Sequence, residues 1–506
     1  MIRPLRIDDR APGSATRRGF AALGGVAVQS AARVLTSLAI GRIGGPAVLG
    51  IVATAIALAQ LLALLWPSSA GSAASKFVAR SRGAKDFREA AAVASHLSKR
   101  TLQSSVVLAL VGFAVWPALF TGGRDWVSGS SLVALLVLGL SGYGFARGLH
   151  FGASQVTRAF RWDMVTSSIG LGGVVLCLAL GVRGPALVAP LAFGSLIFAF
   201  GGWYWQRWHP IAPGLRREID HFIFLATAGT LASAGFLQLS TIVSRTFAGA
   251  AGAGHYAAAM ILATPIAIIG TSVSLVLFPA MSEAIGRGDV NELRRHTDLA
   301  TRASVLAMVA LTGVLAICSR AIIALMWSHG YSSSSDILPV LLAAILVGTL
   351  VVPSSNAVSS ATPRGIVIST AASWIGLTSG VAYWVGFGAS QGLMGVAIGY
   401  MLGSVATAAV CMGWVWLRHG HRWASMVVRT TLGVCLEAAI LIIQDHSHGP
   451  LWTDLVAAAA FVAGWLAIDW TDVRYLLRNH RTIRSGGVRV EAGRHRADVH
   501  SATNAR

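Results

Sequence analysis

Residues 39–83 read AIGRIGGPAVLGIVATAIALAQLLALLWPSSAGSAASKFVARSRG, and this stretch decides the fold. It joins two long apolar runs through a tight glycine-rich connector that carries one arginine, Arg42, and it ends in a basic, helix-forming segment. Apolar runs of about 20 residues are long enough to cross a bilayer as helices. The pattern predicts a membrane hairpin with Arg42 at its outer end and a cytoplasmic connector that lies at the lipid headgroups.

The composition extends this interpretation to the whole chain. Of 506 residues, 55% are hydrophobic and only 12% are charged, and the mean hydropathy is +0.66. Because so few charges cannot cover a soluble surface of this size, we predict an all-α, polytopic membrane protein. The basic N-terminus lacks the short apolar core of a removable signal peptide. The four cysteines lie in apolar runs without metal-ligand spacing, and we expect them to be packing residues.

About fourteen spans are predicted from the apolar runs. They lie at about 19–42, 46–69, 103–121, 130–150, 163–181, 184–204, 222–247, 253–279, 303–319, 336–360, 365–387, 391–415, 426–444 and 450–469. With both termini in the cytoplasm, 33 of the 40 Lys and Arg residues fall on the cytoplasmic side and five fall in outer loops. The positive-inside rule therefore predicts this orientation in the plasma (inner) membrane. Orientation and anionic inner-leaflet lipid explain the net charge of +20 better than nucleic-acid binding does.

Two of the predicted cytoplasmic loops share a pattern. SRGAKDFREA and GRGDVNELRR each place Arg-Gly and a polar spacer before an aromatic residue or leucine and an arginine. Each follows a hairpin whose connector begins with an arginine and is rich in Gly and Ala. This repeated pattern predicts two parallel six-helix lobes around a central cavity that opens alternately to the two sides of the membrane. The predicted parts are a cytoplasmic N-tail (1–18), an N-lobe (19–215), a C-lobe (216–420), two extra helices (421–470) and a basic cytoplasmic C-tail (471–506).

Four stretches in order along the chain resemble one known group of proteins. They are AIGRIGGPAVLG after the first span, GHYAAA opening the eighth, LFPAMSEAIGRGDVNELRRH closing it, and LMWSHGYSSSSDILPVLL before the tenth. Together with fourteen spans they resemble the Wzx-type polysaccharide and oligosaccharide-lipid flippases of the multidrug/oligosaccharidyl-lipid/polysaccharide (MOP) exporter superfamily. The first stretch is similar to the family's A-R-x-L-G-x-x-x-x-G, with Gly44 in place of the leucine.

The resemblance implies a two-lobed bundle that moves a polyprenyl-diphosphate-linked oligosaccharide from the inner to the outer leaflet. It also implies membrane lipids as partners and a polysaccharide polymerase and glycosyltransferases acting beside it. The high arginine-to-lysine ratio points to a bacterial source. One departure concerns the seventh span, which in the family often carries an acidic residue. Here that region offers Gln238, Ser240 and Thr241, so coupling through a carboxylate at this helix is in doubt.

Polar groups deep in the spans are the best site candidates, because each is costly unless it faces water, a partner or a substrate. Arg33 follows Gln29 by four residues and precedes Thr36 and Ser37, so these groups share one helix face. We expect this face to line the cavity, where the planar guanidinium suits a diphosphate. The alternative is that Arg33 extends outward to the headgroups.

Five further arginines are candidates with simpler alternatives. Arg42 and Arg245 occupy comparable outer positions in the two halves, where they could receive the emerging diphosphate or only cap helix C-termini. Arg147, Arg158 and Arg161 cluster at the cytoplasmic entry to the fourth and fifth spans. They could collect the anionic headgroup at the entrance, although ordinary positive-inside charge explains them as well.

Glu437 is a carboxylate near the middle of a predicted span. We expect it to be neutral and hydrogen-bonded rather than an ion-coupling site, and pairing with Arg429 would require tilt because about 12 Å of helix separates them. The aromatic group GGWYWQRW, with tryptophans from Trp203 to Trp208, is typical of an interfacial belt, with sugar stacking as the alternative.

Enzymatic function is not indicated. The sequence shows no nucleophile elbow, no metal-ligand spacing and no glycine-rich phosphate loop, so we expect no catalytic residues, no metal and no cofactor. A membrane glycosyltransferase would need a large catalytic loop with acidic residues. Among transporters, a drug/cation antiporter of the same superfamily would need a carboxylate in its cavity, whereas Arg33 suits an anion. A lipid II flippase is the nearest rival.

Overall fold

The computed structural model describes residues 15–119, 126–205, 210–286, 289–327, 329–361, 363–447 and 451–477. These residues form fifteen α-helices and contain no strand. The helices are α1 (Ala15–Leu64), α2 (Pro67–Gly83), α3 (Phe87–Leu119), α4 (Trp126–Gly152), α5 (Val156–Ala179), α6 (Val188–Gly202), α7 (Pro213–Gly286), α8 (Val290–Ile317), α9 (Ser319–Trp327), α10 (Ser332–Leu350), α11 (Val352–Ala361), α12 (Pro363–Tyr383), α13 (Ala389–His419), α14 (Ala424–Ser447) and α15 (Leu451–Ile468). The predicted all-α polytopic class is confirmed.

Single glycines break the longest helices into hairpins. In α1 the break is Gly45 (φ 80°, ψ 178°), a backbone conformation that favours glycine. A continuous helix would hold Gln29 and Gln60 about 47 Å apart at 1.5 Å per residue. Both residues line one cavity of about 300 Å³, so the chain must fold back between them. The glycine-rich connector at residues 41–50 forms this turn.

A glycine with positive φ also interrupts α7 and α13. Gly249 (φ 68°, ψ −167°) breaks α7. Gly392 (φ 58°) lies near the start of α13, and α12 packs on α13 through small residues. A Cβ at Gly376 would lie 2.5 Å from the Gly403 carbonyl oxygen. The two backbones therefore touch, as membrane helices do where both carry glycine.

The number of crossings matches the prediction. In the described part of the chain, ten helical segments are long and apolar enough to cross a membrane, or eleven if the bent pair Trp452–Ile468 and Trp470–Leu477 counts as one span. Three of the ten are the hairpins just described, and each is long enough to cross twice, which gives thirteen crossings. With the bent pair counted as one span, the total is the fourteen that the sequence predicts.

By compactness the chain divides into two units. One comprises Met1–Pro265, Ile322–Ile345 and Val367–Thr407, and the other comprises Ile266–Ala321, Leu346–Ile366 and Ala408–Arg506. These units do not follow the predicted boundary between an N-lobe and a C-lobe. The lobe assignment therefore stays a prediction.

The basic segment after the first hairpin is a helix whose apolar face packs on the protein and whose Lys76 and Arg80 are exposed, and its position at the headgroups stays a prediction. α2 and the first turns of α3 bury their apolar faces completely. The shared cluster contains Phe77, Val78, Val93, Leu97, Phe145, Leu149, Ile219 and Ile223. The Asp86 carboxylate accepts a hydrogen bond from the Glu89 backbone N–H at 2.9 Å and so caps α3. The alanine-rich sequence favours helix, so α3 begins at Phe87, sixteen residues before the predicted start of the span at residue 103.

The second unit is held together by a chain of ion pairs. Asp472 accepts hydrogen bonds from Arg302 Nη1 at 2.5 Å and from Arg429 Nη2 at 2.7 Å. Arg302 Nε also donates to Asp298, and Arg429 Nε donates to Asp469, each at 2.9 Å. These contacts join α8, α14 and the short helix that follows α15. Arg429 is therefore paired with Asp469 and Asp472. Its pairing with Glu437, which the sequence analysis considered, does not occur.

Candidate functional site

The first unit encloses a chamber of about 300 Å³. Both arms of the α1 hairpin line it, together with α4, α5, α6 and both arms of the α7 hairpin. Each of these segments contributes both apolar and polar residues to the lining. The polar set includes Gln29, Gln60, Ser167, Ser195, Gln238 and Thr264. The chamber can therefore offer hydrogen bonds from many directions to a solvated or polar guest.

Arg33 is the one charged side chain among the described residues that line the chamber. Its side chain is exposed and is part of the chamber lining. Gln29, Thr36 and Ser37 line the same chamber, as the shared helix face predicts. The chamber is thus cationic and otherwise neutral. Such a site favours an anion, and the forked guanidinium can donate to two phosphate oxygens at once.

A buried carboxylate, Asp163, lies next to the chamber and contacts a residue of its lining. Tyr143, which lines the chamber, donates its hydroxyl hydrogen to Asp163 Oδ1 at 2.7 Å. Asp163 Oδ2 pairs with Arg147 Nε at 3.3 Å, and the two side chains are 1% and 19% exposed. α1 passes so close that a Cβ at Gly25 would lie 2.5 Å from Asp163 Oδ2. Glycine at position 25 is what permits this approach.

The sequence alone did not identify Asp163 or Tyr143. Asp163 is the first residue of a predicted span. An acidic residue at that position is expected to mark the end of the membrane-spanning segment. The helix in fact begins at Val156, which places the carboxylate within the helix. The one available signal was the Gly24-Gly25 pair in an otherwise bulky apolar run, which indicates close packing of another group.

We expect Asp163→Ala to destabilise the protein by about 3 kcal/mol, because it leaves the largely buried Arg147 guanidinium without its counter-ion. Tyr143→Phe removes one hydrogen bond and should cost about 1 kcal/mol. Thermal unfolding of the purified protein in detergent measures both. Asp163→Asn, which retains an acceptor for Tyr143, should fall between them. An unfolding midpoint for Asp163→Ala equal to that of the wild type would contradict the pairing.

Arg42 and Arg245 both cap the C-terminus of a helix from elsewhere in the chain. Arg42 Nε donates to the Met326 carbonyl oxygen at 2.6 Å, and its Nη2 donates to Leu325, at the end of α9. Arg245 Nε donates to the Leu119 carbonyl oxygen at 3.0 Å, at the end of α3. The last carbonyls of a helix lack partners and carry partial negative charge, so a cation stabilises them. The capping alternative thus has direct geometric support, and a role in receiving substrate stays a prediction.

These arginines lie beside a reciprocal crossing of the two hairpins. A Cβ at Gly50 would meet the Ala250 carbonyl oxygen, and a Cβ at Gly254 would meet the Pro46 carbonyl oxygen. The partners are separated by one constant offset along the chain, which also relates the two hairpin breaks, Gly45 and Gly249. The two contacts are therefore reciprocal, and the predicted repeat of two lobes stays a prediction. We call Pro46, Gly50, Ala250 and Gly254 the glycine crossing.

The three arginines predicted at the headgroup entrance differ in their surroundings. Arg147 is the partner of Asp163 and stacks on the Phe151 ring, 5.2 Å from its centroid. Arg158 is half-buried near the start of α5, and its Nη1 lies 3.4 Å from Gln155 Oε1. Arg161 is exposed. Arg147 therefore has a structural partner, and collection of the headgroup by this group stays a prediction.

The remaining candidates lie away from the chamber. Glu437 on α14 is 8% exposed, and the described residues supply no hydrogen-bond partner for its carboxyl group, although one was expected. In the aromatic group, Trp203 is buried in the cluster around α2, whereas Trp205 is 57% exposed. The residues from Gln206 to Trp208 lie outside the described part of the chain. Gln238 and Thr241 line the chamber, and Ser240 is buried.

Two family models match this chain. The model described as "Lipid II flippase MurJ" matches residues 175–443. The model described as "Polysaccharide biosynthesis protein" matches residues 17–285. Each match covers more than half of the sequence. No curated protein sequence matches the chain significantly.

Solved structures share the fold. A lipid II flippase MurJ in an inward closed conformation is 12% identical, with a TM-score of 0.67, covering 91% of this chain and 100% of that chain. An inward-facing multidrug resistance MATE family transporter of the MOP superfamily is 16% identical, with a TM-score of 0.63, covering 79% and 98%. A MOP superfamily transporter from Pyrococcus furiosus is 16% identical, with a TM-score of 0.55, covering 80% and 95%.

Proposed function

This chain belongs to the MOP superfamily of lipid-linked flippases and transporters, and from that premise we propose that it flips a polyprenyl-diphosphate-linked oligosaccharide across the plasma membrane. The cargo would be a precursor of a cell-surface polysaccharide or a related glycolipid. The diphosphate and sugar enter the chamber, and the polyprenyl tail stays in lipid.

The observation that carries the proposal is the charge of the chamber. Arg33 is a lone cation in a wall of neutral hydrogen-bonding groups, and no carboxylate occurs among the described lining residues. A diphosphate carries concentrated negative charge and needs donors to replace its lost hydration. The amide and hydroxyl groups around Arg33 can bind sugar hydroxyls, since they both donate and accept.

Alternating access requires that the chamber close on one side at a time. On the predicted outer side, the glycine crossing and the caps made by Arg42 and Arg245 join segments of both predicted halves. We propose that these contacts close the outer side while cargo is loaded from the cytoplasm. They would open for release into the outer leaflet.

A lipid II flippase is the second candidate. It is supported by the match to the MurJ family model and by the similarity to a MurJ structure over 91% of this chain. Lipid II is also a polyprenyl-diphosphate glycolipid, so the cationic chamber suits both cargoes. A cation antiporter is supported less well, because a chamber whose lone charge is Arg33 repels a cation.

Flipping by the reconstituted full chain tests the proposal. Vesicles carry a fluorescent headgroup analogue of a polyprenyl-diphosphate oligosaccharide, of lipid II, or of the same oligosaccharide on a monophosphate. An impermeant quencher reports the fraction that has crossed. We expect the diphosphate oligosaccharide to cross faster than its monophosphate counterpart. Faster transfer of lipid II would favour the second candidate, and proton-driven uptake of a cationic dye without glycolipid transfer would refute both.

A further inference from the structure

A second pocket lies apart from the chamber and shares no residue with it. Its volume is about 550 Å³, and it lies between the first half of α3 and the start of α7. The side chains that define it are Ser95, His96, Lys99, Arg216, Arg217 and Asp220. Both segments belong to predicted cytoplasmic loops. The start of α7 also follows the segment that connects the two predicted lobes.

The pocket is built for an anion. Lys99, Arg216 and Arg217 are three cations that line it, against one carboxylate, Asp220. That carboxylate is matched by Arg216, whose Nε lies 3.8 Å from Asp220 Oδ2. The buried Nε2 atom of His96 has no hydrogen-bond partner among the described residues. The pocket therefore has a net positive charge, and one of its lining residues, His96, carries a buried polar atom without a described partner.

Apolar surface continues from this pocket along both helices. On α3, Leu102, Val106 and Leu110 follow Lys99 at helical spacing and are 51%, 46% and 65% exposed. On α7, Phe224 follows Arg217 by seven residues and is 70% exposed. Side chains at these spacings share a helix face. A stripe that faces lipid thus begins where the cationic pocket ends.

We propose that this pocket binds the phosphate headgroup of an anionic glycerophospholipid, with the acyl chains along the stripe on α3 and Phe224. Lys99, Arg216 and Arg217 would meet the phosphodiester. Basic pockets beside membrane helices on the cytoplasmic side select anionic headgroups in this way. A soluble anion would use the charges but leave the adjoining stripe without a function. The bound lipid is a ligand distinct from the cargo, so the inference does not depend on the cargo's identity.

Native mass spectrometry of the purified full chain tests this inference. The protein in neutral detergent is titrated with phosphatidylglycerol or with phosphatidylcholine. We expect preferential binding of phosphatidylglycerol. The double variant Lys99→Ala/Arg217→Ala should weaken that binding by roughly five-fold for each charge removed. Arg217→Lys, which retains the charge, should bind within about two-fold of the wild type on the same reasoning.

Two controls make the result specific. Arg88→Ala removes an exposed arginine of α3 outside the pocket and should leave phosphatidylglycerol binding unchanged. Thermal unfolding of each variant verifies that the fold is retained. Equal binding of the two lipids by the wild type, or unchanged phosphatidylglycerol binding by the double variant, would overturn the proposal. Competition by excess inorganic phosphate without any lipid preference would assign the pocket to a free anion and would also overturn it.

Discussion

Arg33→Ala is expected to slow translocation of the diphosphate-linked oligosaccharide by about 100-fold, on the basis of the 1.5–3 kcal/mol typical of charged hydrogen bonds. Arg33→Glu should abolish it, because a carboxylate in the chamber repels the diphosphate. Arg33→Lys should retain part of the activity, since lysine keeps the charge and loses the fork that holds two oxygens. The measurement is the initial rate of headgroup transfer in reconstituted vesicles.

The matched control for this series is Arg183→Ala. Arg183 is an exposed arginine in the loop before α6 and does not line the chamber. Its removal changes the net charge by the same amount as Arg33→Ala and should leave transfer unchanged. Normal transfer by Arg33→Ala, with the protein inserted and stable, would remove Arg33 from the mechanism. It would also remove the charge argument for a diphosphate cargo.

Gly50→Val is expected to separate the two hairpins where they cross. The new Cβ would meet the backbone carbonyl of Ala250, which cannot rotate away as a flexible side chain can. Overpacking of this kind costs about 1–3 kcal/mol. Because the crossing is proposed to close the outer side, that cost falls on the closed state. A cysteine at Ser37, which lines the chamber, should then react faster with an impermeant maleimide added from outside.

The reciprocal design supplies its own test. Gly254→Val should have a matching effect, since its Cβ would meet the Pro46 carbonyl. Gly172→Ala is the control, because no atom lies within 4 Å of a Cβ at that position in α5. Labelling of Ser37→Cys that is unchanged in both valine variants would show that the glycine crossing does not close the chamber. The labelling is compared with the same variants lacking the Ser37→Cys substitution, so that the native cysteines are subtracted.

Periodicity and charge predicted the elements that depend on local sequence. Apolar run lengths located the spans, and the Gly-rich connectors located two of the hairpin turns, because only glycine readily adopts the conformation at Gly45 and Gly249. The shared face of Gln29 and Arg33 followed from helical spacing alone. Each of these inferences needs only residues that are close in sequence, within about one membrane span.

Contacts between distant segments could not be predicted in this way. Arg42 finds its carbonyl partners 283 and 284 residues away, and no feature near Arg42 specifies them. Asp163 became a site residue only because α4 brings Tyr143 and Arg147 to it. The charges of the basic segment after the first hairpin predicted a position at the surface, and Lys76 and Arg80 are exposed. The sequence did not show what its other face packs against, which is α4 and α7 through Phe77 and the alanines.

The glycine crossing has a consequence for the proposed opening of the outer side. Its two contacts are equivalent, and each places the backbone of one hairpin against a glycine of the other. Because both contacts lie within five residues on the same two hairpins, an opening that parts these hairpins breaks both contacts. We therefore expect the proposed closure to depend on the two glycines together.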